Sequence, residues 1–167
     1  DELWCDDGLA LRRDRQRPGG AAAAVVAGVM PVFGKLQEDR ETCGIVGRMD
    51  LTTLAVIAFA GACATLSHLD AVGTGARFNH NGGPLVAVDS TKLILGDINN
   101  YVLRSIDIAS GTVTTVAGRV GVPGLLDGPA LQAVMSGMAG LAYGGETTYF
   151  SDVVAPAIRT LYRDYVE

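Results

Sequence analysis

Two histidines and an aspartate are the first residues whose types could do chemistry. His68 and His80 are the only histidines in the chain, and Asp70 lies two positions after His68. Such a pair could bind a metal ion, because imidazole and carboxylate groups are common metal ligands. Both histidines lie in segments of turn-like composition, which favours ordinary surface histidines. The sequence therefore predicts no metal site.

Two Asp–Arg pairs are a second candidate. Asp97 lies seven positions before Arg104, and Asp152 and Arg159 have the same spacing. These charges could line a ligand site. Alternatively, each aspartate accepts backbone N–H bonds in a hairpin turn, and each arginine braces that turn from the returning strand. Because a catalytic group is normally needed once, the repetition favours the structural role.

Motifs of nucleophilic, metal-dependent and nucleotide chemistry are missing from the sequence. It contains no G-x-S-x-G, H-E-x-x-H or P-loop pattern, and GTGARF at 73–78 lacks the third glycine of a dinucleotide loop. The three cysteines, Cys5, Cys43 and Cys63, have no C-x-x-C spacing. One disulfide with a spare thiol and buried free thiols both remain open. We expect no catalytic residue and no cofactor.

Composition restricts the class of partner. The 167 residues carry a net charge of −5, and 49% of them are hydrophobic, which is typical of a globular chain. The acidic balance argues against a nucleic-acid surface. A basic cluster at 12–17 is the exception, but Asp14 interrupts it and no aromatic residue interleaves with it. The composition therefore predicts no nucleic-acid partner.

Two apolar stretches could suggest a membrane. Residues 19–33 and 54–66 are both shorter than the roughly 20 residues that a spanning helix needs. The first stretch follows several arginines, as the apolar region of a secretion signal does, but Gly28 and Pro31 interrupt it. We expect no membrane span.

An internal repeat organises the second half of the chain. A shift of 57 residues pairs Gly61 with Gly118, Asp70 with Asp127, Ala76 with Ala133, and Phe78 with Met135. After a two-residue deletion near Gly137, a shift of 55 pairs Asp97 with Asp152 and Arg104 with Arg159. The apolar residues Val86, Ile94, Leu95, Leu103 and Ile106 then fall on Leu141, Tyr149, Phe150, Ile158 and Leu161. The same features thus recur in the same order.

Each repeat has the pattern of short strands. Residues 85–89, 92–97 and 101–108 are apolar or alternating, and TVTTVAG from 112 adds a β-branched run. Four antiparallel strands in a repeat of this length describe one blade of a β-propeller. The predicted fold is all-β, built from propeller blades that are incomplete or part of a larger propeller. Aromatic residues at repeat positions are predicted to form the core between blades: Phe59, Phe78, Tyr149 and Phe150.

The segment GDINNYVLRSID resembles the NHL-repeat β-propellers. It has that family's Asp, then Asn three positions later, then an aliphatic residue and Arg, here Asp97, Asn100, Leu103 and Arg104. TVTTVAG, a glycine-rich loop and LDG add to the resemblance, which extends from about residue 50 to the end. The next repeat has Ala155 in place of the Asn. The repeated residues predicted to be structural are Gly61, Asp70, Asp97, Asn100, Arg104, Gly118, Asp127, Asp152 and Arg159.

The whole chain, 1–167, is therefore interpreted as part of an NHL-type propeller. Clear repeats occupy about 51–111 and 112–167, and degenerate blade material occupies 1–50. In that material we expect a hairpin at 3–13 and the third and fourth strands of an earlier blade at 44–61, whereas the segment 29–42 has no assignment. LYRDYVE at the end is expected to lack its outer strand. Three partial repeats cannot close a ring, which indicates a fragment or an arc completed by another polypeptide.

The resemblance implies a non-enzymatic protein-binding or scaffold module. One alternative is a structural subunit of a large assembly completed by a partner. Another is a metal-dependent propeller enzyme, a lyase or a hydrolase, with its ligands on the inner strands. The inner strands 85–89 and 140–144 offer only Asp89. This disfavours the enzyme.

Overall fold

The computed structural model describes most of the chain beyond residue 43. It gives the backbone of 2–4 and 10–12, and backbone with side chains for 44–50, 53, 55–63, 66–79, 83–154 and 156–167. In these ranges the regular elements are β-strands, apart from two short 3-10 turns at Gly73–Gly75 and Ile98–Asn100. The predictions on Cys5, Cys43, His80, Ala155 and the segment 29–42 fall outside the described residues.

Blade I is a sheet of four antiparallel strands. They are β5 (Leu85–Ala87), β6 (Lys92–Asp97), β7 (Val102–Asp107) and β8 (Val113–Ala117), in that spatial order. The β6 and β7 strands are joined through a 3-10 turn in which Tyr101 adopts a left-handed conformation with φ of 59°. This blade confirms the four strands predicted from the repeat, and β6 matches its predicted bounds.

Blade II repeats this architecture. Its strands are β10 (Met138–Gly144), β11 (Thr147–Asp152), β12 (Ala157–Tyr162) and β13 (Tyr165–Val166). The expectation that the last segment lacks an outer strand is wrong, because a tight turn with Arg163 at φ 53° returns the chain and pairs β13 with β12. A further two-residue strand, β9 (Gly128–Pro129), lies on the other side of β13. Asp127-Gly128 therefore leads into a short edge strand, where a proline is tolerated.

Strands outside the two blades lie earlier in the chain. β3 (Gly44–Met49) and β4 (Val56–Ala62) are antiparallel, with an irregular register between Val46 and Gly47. They confirm the two strands predicted at 44–61. The backbones of β1 (Glu2–Trp4) and β2 (Ala10–Arg12) form a hairpin, as predicted for 3–13.

Two apolar clusters form the core, one on each face of blade I. The first joins it to the β3–β4 pair: Val46, Ala60, Ala76, Phe78, Leu85, Leu93, Leu95, Ile106 and Val113. The second joins it to blade II: Ile94, Leu103, Ala117, Ala130, Ala133, Met135, Met138, Phe150, Leu161 and Val166. Phe78 and Phe150 are buried as predicted, and Phe59 packs at the edge of the first cluster. Tyr149 is exposed, which contradicts its predicted core position, because it faces away from blade I.

Two further observations concern the chain as a whole. Cys63 is disulfide-bonded. Of the two states that the sequence left open, a buried free thiol therefore does not apply to this cysteine. Among the described residues, no helix is long and apolar enough to cross a membrane.

Candidate functional site

Arg104 is the centre of the first buried charge cluster. Its side chain projects from the middle of β7 and is fully buried. One guanidinium nitrogen lies 2.8 Å from Asp97 Oδ2, and the other lies 2.7 Å from Asp70 Oδ1. The guanidinium also lies over the ring of Phe78, 5.0 Å from its centre. Two carboxylates and an aromatic face thus surround one cation, an arrangement suited to a buried arginine.

The same guanidinium also donates hydrogen bonds to the chain segment that enters blade I. We call residues 66–79 the first crossing segment. Within it, Leu69 and Arg77 form an isolated antiparallel bridge. Arg104 donates to both of their carbonyl oxygens, at 2.9 Å for Leu69 and 3.1 Å for Arg77. Because one rigid group holds both arms of the bridge, the position of this segment is fixed relative to β7.

Arg159 repeats this arrangement in blade II. It projects from β12, is buried, and donates to Asp152 at 3.4 Å and to Asp127 at 2.7 Å. Residues 118–137 form the second crossing segment, in which Leu126 bridges Val134. Arg159 donates to the carbonyl oxygens of these two residues at 3.0 and 2.8 Å. The repeat therefore preserves every partner type of the arginine.

The buried aspartates hold the far end of each crossing segment. Asp97 accepts the backbone N–H of Asn79 at 2.8 Å, and Asp152 accepts that of Ser136 at 3.1 Å. The sequence predicts that these aspartates accept backbone N–H bonds of their own hairpin turns, whereas the N–H groups come from the crossing segments, and the turn after Asp97 contributes the Asn100 side chain. Both carboxylates are buried, so they do not line an open ligand site. The Asp and the Arg of each pair therefore hold the crossing segment against its blade through hydrogen bonds.

The two repeats satisfy one carbonyl group by different means. The Asn100 side chain donates to Asp97 at 2.8 Å and to the carbonyl oxygen of Ser67 at 3.0 Å. The second repeat has alanine in place of this asparagine, and Ser67 corresponds to Gly124. There the hydroxyl of Ser136 donates to the carbonyl oxygen of Gly124 at 2.8 Å. A serine on the crossing segment thus replaces the lost amide, while Asp152 Oδ1 is left with no partner among the described residues.

Two repeated glycines occupy positions where no side chain fits. Gly61 and Gly118, at the ends of β4 and β8, have φ of 86° and 97°, in the left-handed region that favours glycine. A Cβ on Gly61 would meet Phe78, and a Cβ on Gly118 would meet Met135 and the carbonyl oxygen of Tyr101. The close approach of each outer strand to the following crossing segment therefore requires glycine.

His68 and Asp70 do come together, as their spacing suggested, but in a hydrogen-bonded cluster with Thr115. His68 Nε2 lies 2.7 Å from Thr115 Oγ1, and Asp70 accepts both the backbone and the hydroxyl hydrogen of Thr115. Partial burial, followed by the nearby charge of Arg104, lowers the pKa of His68. Burial acts to raise the pKa of Asp70, but the Thr115 amide and Arg104 hold it below its ordinary value. The His68 imidazole is therefore neutral and the Asp70 carboxylate is ionised. Both bond to Thr115, and Asp70 joins this cluster to Arg104.

Asp89, the acidic residue of the predicted inner strands, is engaged in a turn. Asp89 lies just after β5, where its carboxylate accepts the backbone N–H and the hydroxyl of Thr91, each at 2.6 Å. In the part of the chain with described side chains, no three His, Cys, Asp or Glu residues are grouped closely enough to hold a metal ion. The Asp89 carboxylate thus acts in hydrogen bonds within its own turn.

Exposed apolar side chains lie along both crossing segments. In the first segment they are Leu66, Leu69 and Val72, and in the second they are Val120, Val122, Leu125, Leu126 and Leu131. Leu69 and Leu126 are equivalent in the repeat, and each belongs to a bridge that an arginine holds. The repeat pattern does not single out these residues, although two adjacent leucines in a Gly- and Pro-rich loop are an available signal. The charge clusters of Arg104 and Arg159 thus fix the backbone of the two crossing segments, and these segments expose apolar side chains to solvent.

Several solved structures share this fold. A Bacteroides thetaiotaomicron protein of unknown function is 18% identical, with a TM-score of 0.64 over 99% of this chain and 46% of its own. A candidate phosphatase from that organism is 25% identical, with a TM-score of 0.58 over 74% of this chain and 30% of its own. An auxiliary nutrient binding protein, also from that organism, is 26% identical, with a TM-score of 0.59 over 74% of this chain and 32% of its own.

These similarities support the architecture at a coarse level. The chain is an all-β protein with antiparallel, propeller-like blades, and it spans less than half the length of each of these three structures. No protein-family model and no curated protein sequence matches it.

Proposed function

We propose that this chain is a non-enzymatic protein-binding module of the NHL type, and that its two crossing segments form the contact surface. The proposal rests on one observation: apolar side chains are exposed on a backbone that hydrogen bonds from buried arginines hold in place. Leu125 and Leu126 are more than half exposed, and the carbonyl group of Leu126 is held by Arg159. Asp97, Asn100 and Arg104 match the NHL pattern, and these three residues form the hydrogen-bonded cluster that holds the first crossing segment.

A braced loop is a favourable binding surface for a physical reason. Association costs free energy when loops and side chains become ordered at the interface. Here the backbone of the crossing segments is already ordered by the bridges and by the arginines. Exposed apolar groups on a fixed frame can therefore contribute their burial to affinity with little ordering cost. A protein partner with apolar side chains fits this surface.

The contacts of the charged groups support binding over catalysis. Both guanidinium groups are buried and donate to carboxylates and backbone carbonyls, so neither is directed at an open site. One similar structure is named as a nutrient binding protein and another as a candidate phosphatase, and both are longer than this chain. A binding role agrees with the first of these names.

The test compares two serine variants as bait. The double variant Leu125→Ser/Leu126→Ser changes the proposed surface, and Ile57→Ser changes an exposed apolar residue on β4. Each tagged chain is incubated with an extract of its source cells, and the retained proteins are quantified by mass spectrometry. We expect the double variant to lose its partner by about tenfold or more, because contact residues of this kind contribute most of the binding energy.

Thermal unfolding controls for the fold in the same experiment. All three chains are expected to melt at similar temperatures, since the substituted side chains are exposed and the backbone bonds remain. If the double variant retains the same proteins in the same amounts as the unaltered chain, the crossing segments are not the binding surface.

A further inference from the structure

His68 is the residue of the first crossing segment whose charge can change between pH 5 and 8. Its side chain is only 23% exposed. It lies between Ser67 and Leu69, whose carbonyl oxygens accept hydrogen bonds from Asn100 and Arg104. His68 is therefore located between the two points at which blade I holds this arm of the segment.

The hydrogen bonds of Thr115 define which nitrogen of His68 carries a hydrogen. Thr115 has one hydroxyl hydrogen, and it donates that hydrogen to Asp70 Oδ1 at 3.0 Å. In the contact of 2.7 Å between His68 Nε2 and Thr115 Oγ1, the imidazole is therefore the donor. The other ring nitrogen, Nδ1, is the atom that takes up a proton at low pH.

The charges around the imidazole oppose this protonation. Arg104 from β7, Asp97 from the end of β6 and Asp70 from the same segment act on it, and β8 contributes Thr115, which does not titrate. Asp70 Oδ1 lies 3.9 Å from His68 Nε2 but 2.7 Å from a guanidinium nitrogen of Arg104. A protonated His68 thus competes with a buried arginine for one carboxylate oxygen, and neighbouring cations destabilise each other.

The sign of the resulting pH dependence follows from these contacts. Burial and then the charge of Arg104 lower the pKa of His68, and the two aspartates offset this only in part. The ordinary pKa of histidine, about 6.5, applies to the unfolded chain. Because the folded pKa is the lower one, the stabilisation from the neutral imidazole is complete above pH 6.5. It is lost as the pH falls below that value through the folded pKa.

The second crossing segment has no group of this kind. Its residue equivalent to His68 is Leu125. Asp127 still binds Arg159 at 2.7 Å, and the bridge between Leu126 and Val134 is still present. The two segments therefore share their bridge, aspartate and arginine, but only the first has an imidazole beside them.

We propose that His68 makes the first crossing segment acid-sensitive. As the pH falls below 6.5, protonation displaces the imidazole from Thr115, and the arm at 66–70 separates from blade I while the second segment stays in place. Leu69 is exposed on this arm, so a partner bound there would be released in acid. That consequence rests on the proposed function, whereas the opening itself does not.

Hydrogen exchange of the unaltered chain at pH 7.5 and pH 5.0 tests the opening without a partner. The bridge amides of Leu69 and Arg77 report on the first segment, and those of Leu126 and Val134 report on the second in the same molecule. Each rate is divided by the intrinsic rate at the same pH, since exchange itself depends on pH. We expect the protection of the first pair to fall about fivefold or more relative to the second. Equal changes in the two pairs would overturn the proposal.

Three variants separate titration of His68 from a purely structural role. His68→Gln keeps a side-chain N–H donor, His68→Leu copies the second repeat, and neither residue titrates. We expect the pH dependence of the first pair to disappear in both variants. It should persist in His80→Gln, which removes the other histidine of the chain. A pH dependence that survives in His68→Gln, or one that is lost in His80→Gln, would contradict the proposal. These readouts are independent of the binding test on Leu125 and Leu126.

Discussion

Replacing Arg104 with leucine is expected to lower the free energy of unfolding by about 3–5 kcal/mol, because breaking a buried ion pair leaves an uncompensated charge. Asp97 would keep only the amide donors of Asn79 and Asn100 inside the protein. The carbonyl groups of the first crossing segment would lose their shared donor as well. Leucine fills part of the volume but donates no hydrogen bond.

Urea unfolding followed by circular dichroism measures this effect. Arg119→Leu is the matched control, since Arg119 is exposed just after β8 and its replacement removes the same charge without a buried partner. We expect the control to lie close to the unaltered chain, as surface substitutions usually do. Equal stability of the two variants would mean that the Arg104 cluster does not hold the blade and the crossing segment together.

Gly118→Ala is the second substitution with a large expected effect. Alanine at φ 97° is strained, and its methyl group would meet both the Met135 side chain and the carbonyl oxygen of Tyr101. The side chain can move, whereas the backbone carbonyl is fixed by the turn before β7. Strain and overpacking together are expected to cost about 2–5 kcal/mol.

Gly121→Ala separates strain from overpacking. Gly121 also has a left-handed conformation, with φ of 71°, but nothing lies within 4 Å of a Cβ built there. Its substitution should cost only the conformational part, about 1–2 kcal/mol. If calorimetry finds the same loss for Gly118→Ala as for Gly121→Ala, the outer strand and the crossing segment are not in the close contact described.

Local signals in the sequence predicted the strands of blade I well. The apolar run of β6 and the turn residues Asn99-Asn100 are patterns read within a few residues, and the structure places strand and turn accordingly. The spacing of Asp97 and Arg104 and its recurrence 55 residues later also indicated which charges belong together. Repetition provided the information that a single copy would lack.

Long-range contacts could not be predicted in the same way. The bond of Asp97 to Asn79 joins residues 18 positions apart, and the replacement of the Asn100 amide by the Ser136 hydroxyl depends on two segments meeting in space. The sequence predicts Tyr149 in the core because it is an aromatic residue at a repeat position, where Ile94 is its equivalent. Its burial depends on what packs against blade II, which a strand pattern does not contain.

Hydrogen exchange on the unaltered chain tests most directly whether the crossing segments are fixed binding surfaces. The backbone amides of Leu69, Arg77, Leu126 and Val134 all donate within the bridges that the arginines hold. We predict protection comparable to that of the β6 amides and far above that of Ser90, which lies in an exposed turn. Exchange as fast as that of Ser90 would mean that the loops move freely, and it would contradict the proposal that they present a preformed surface to a partner.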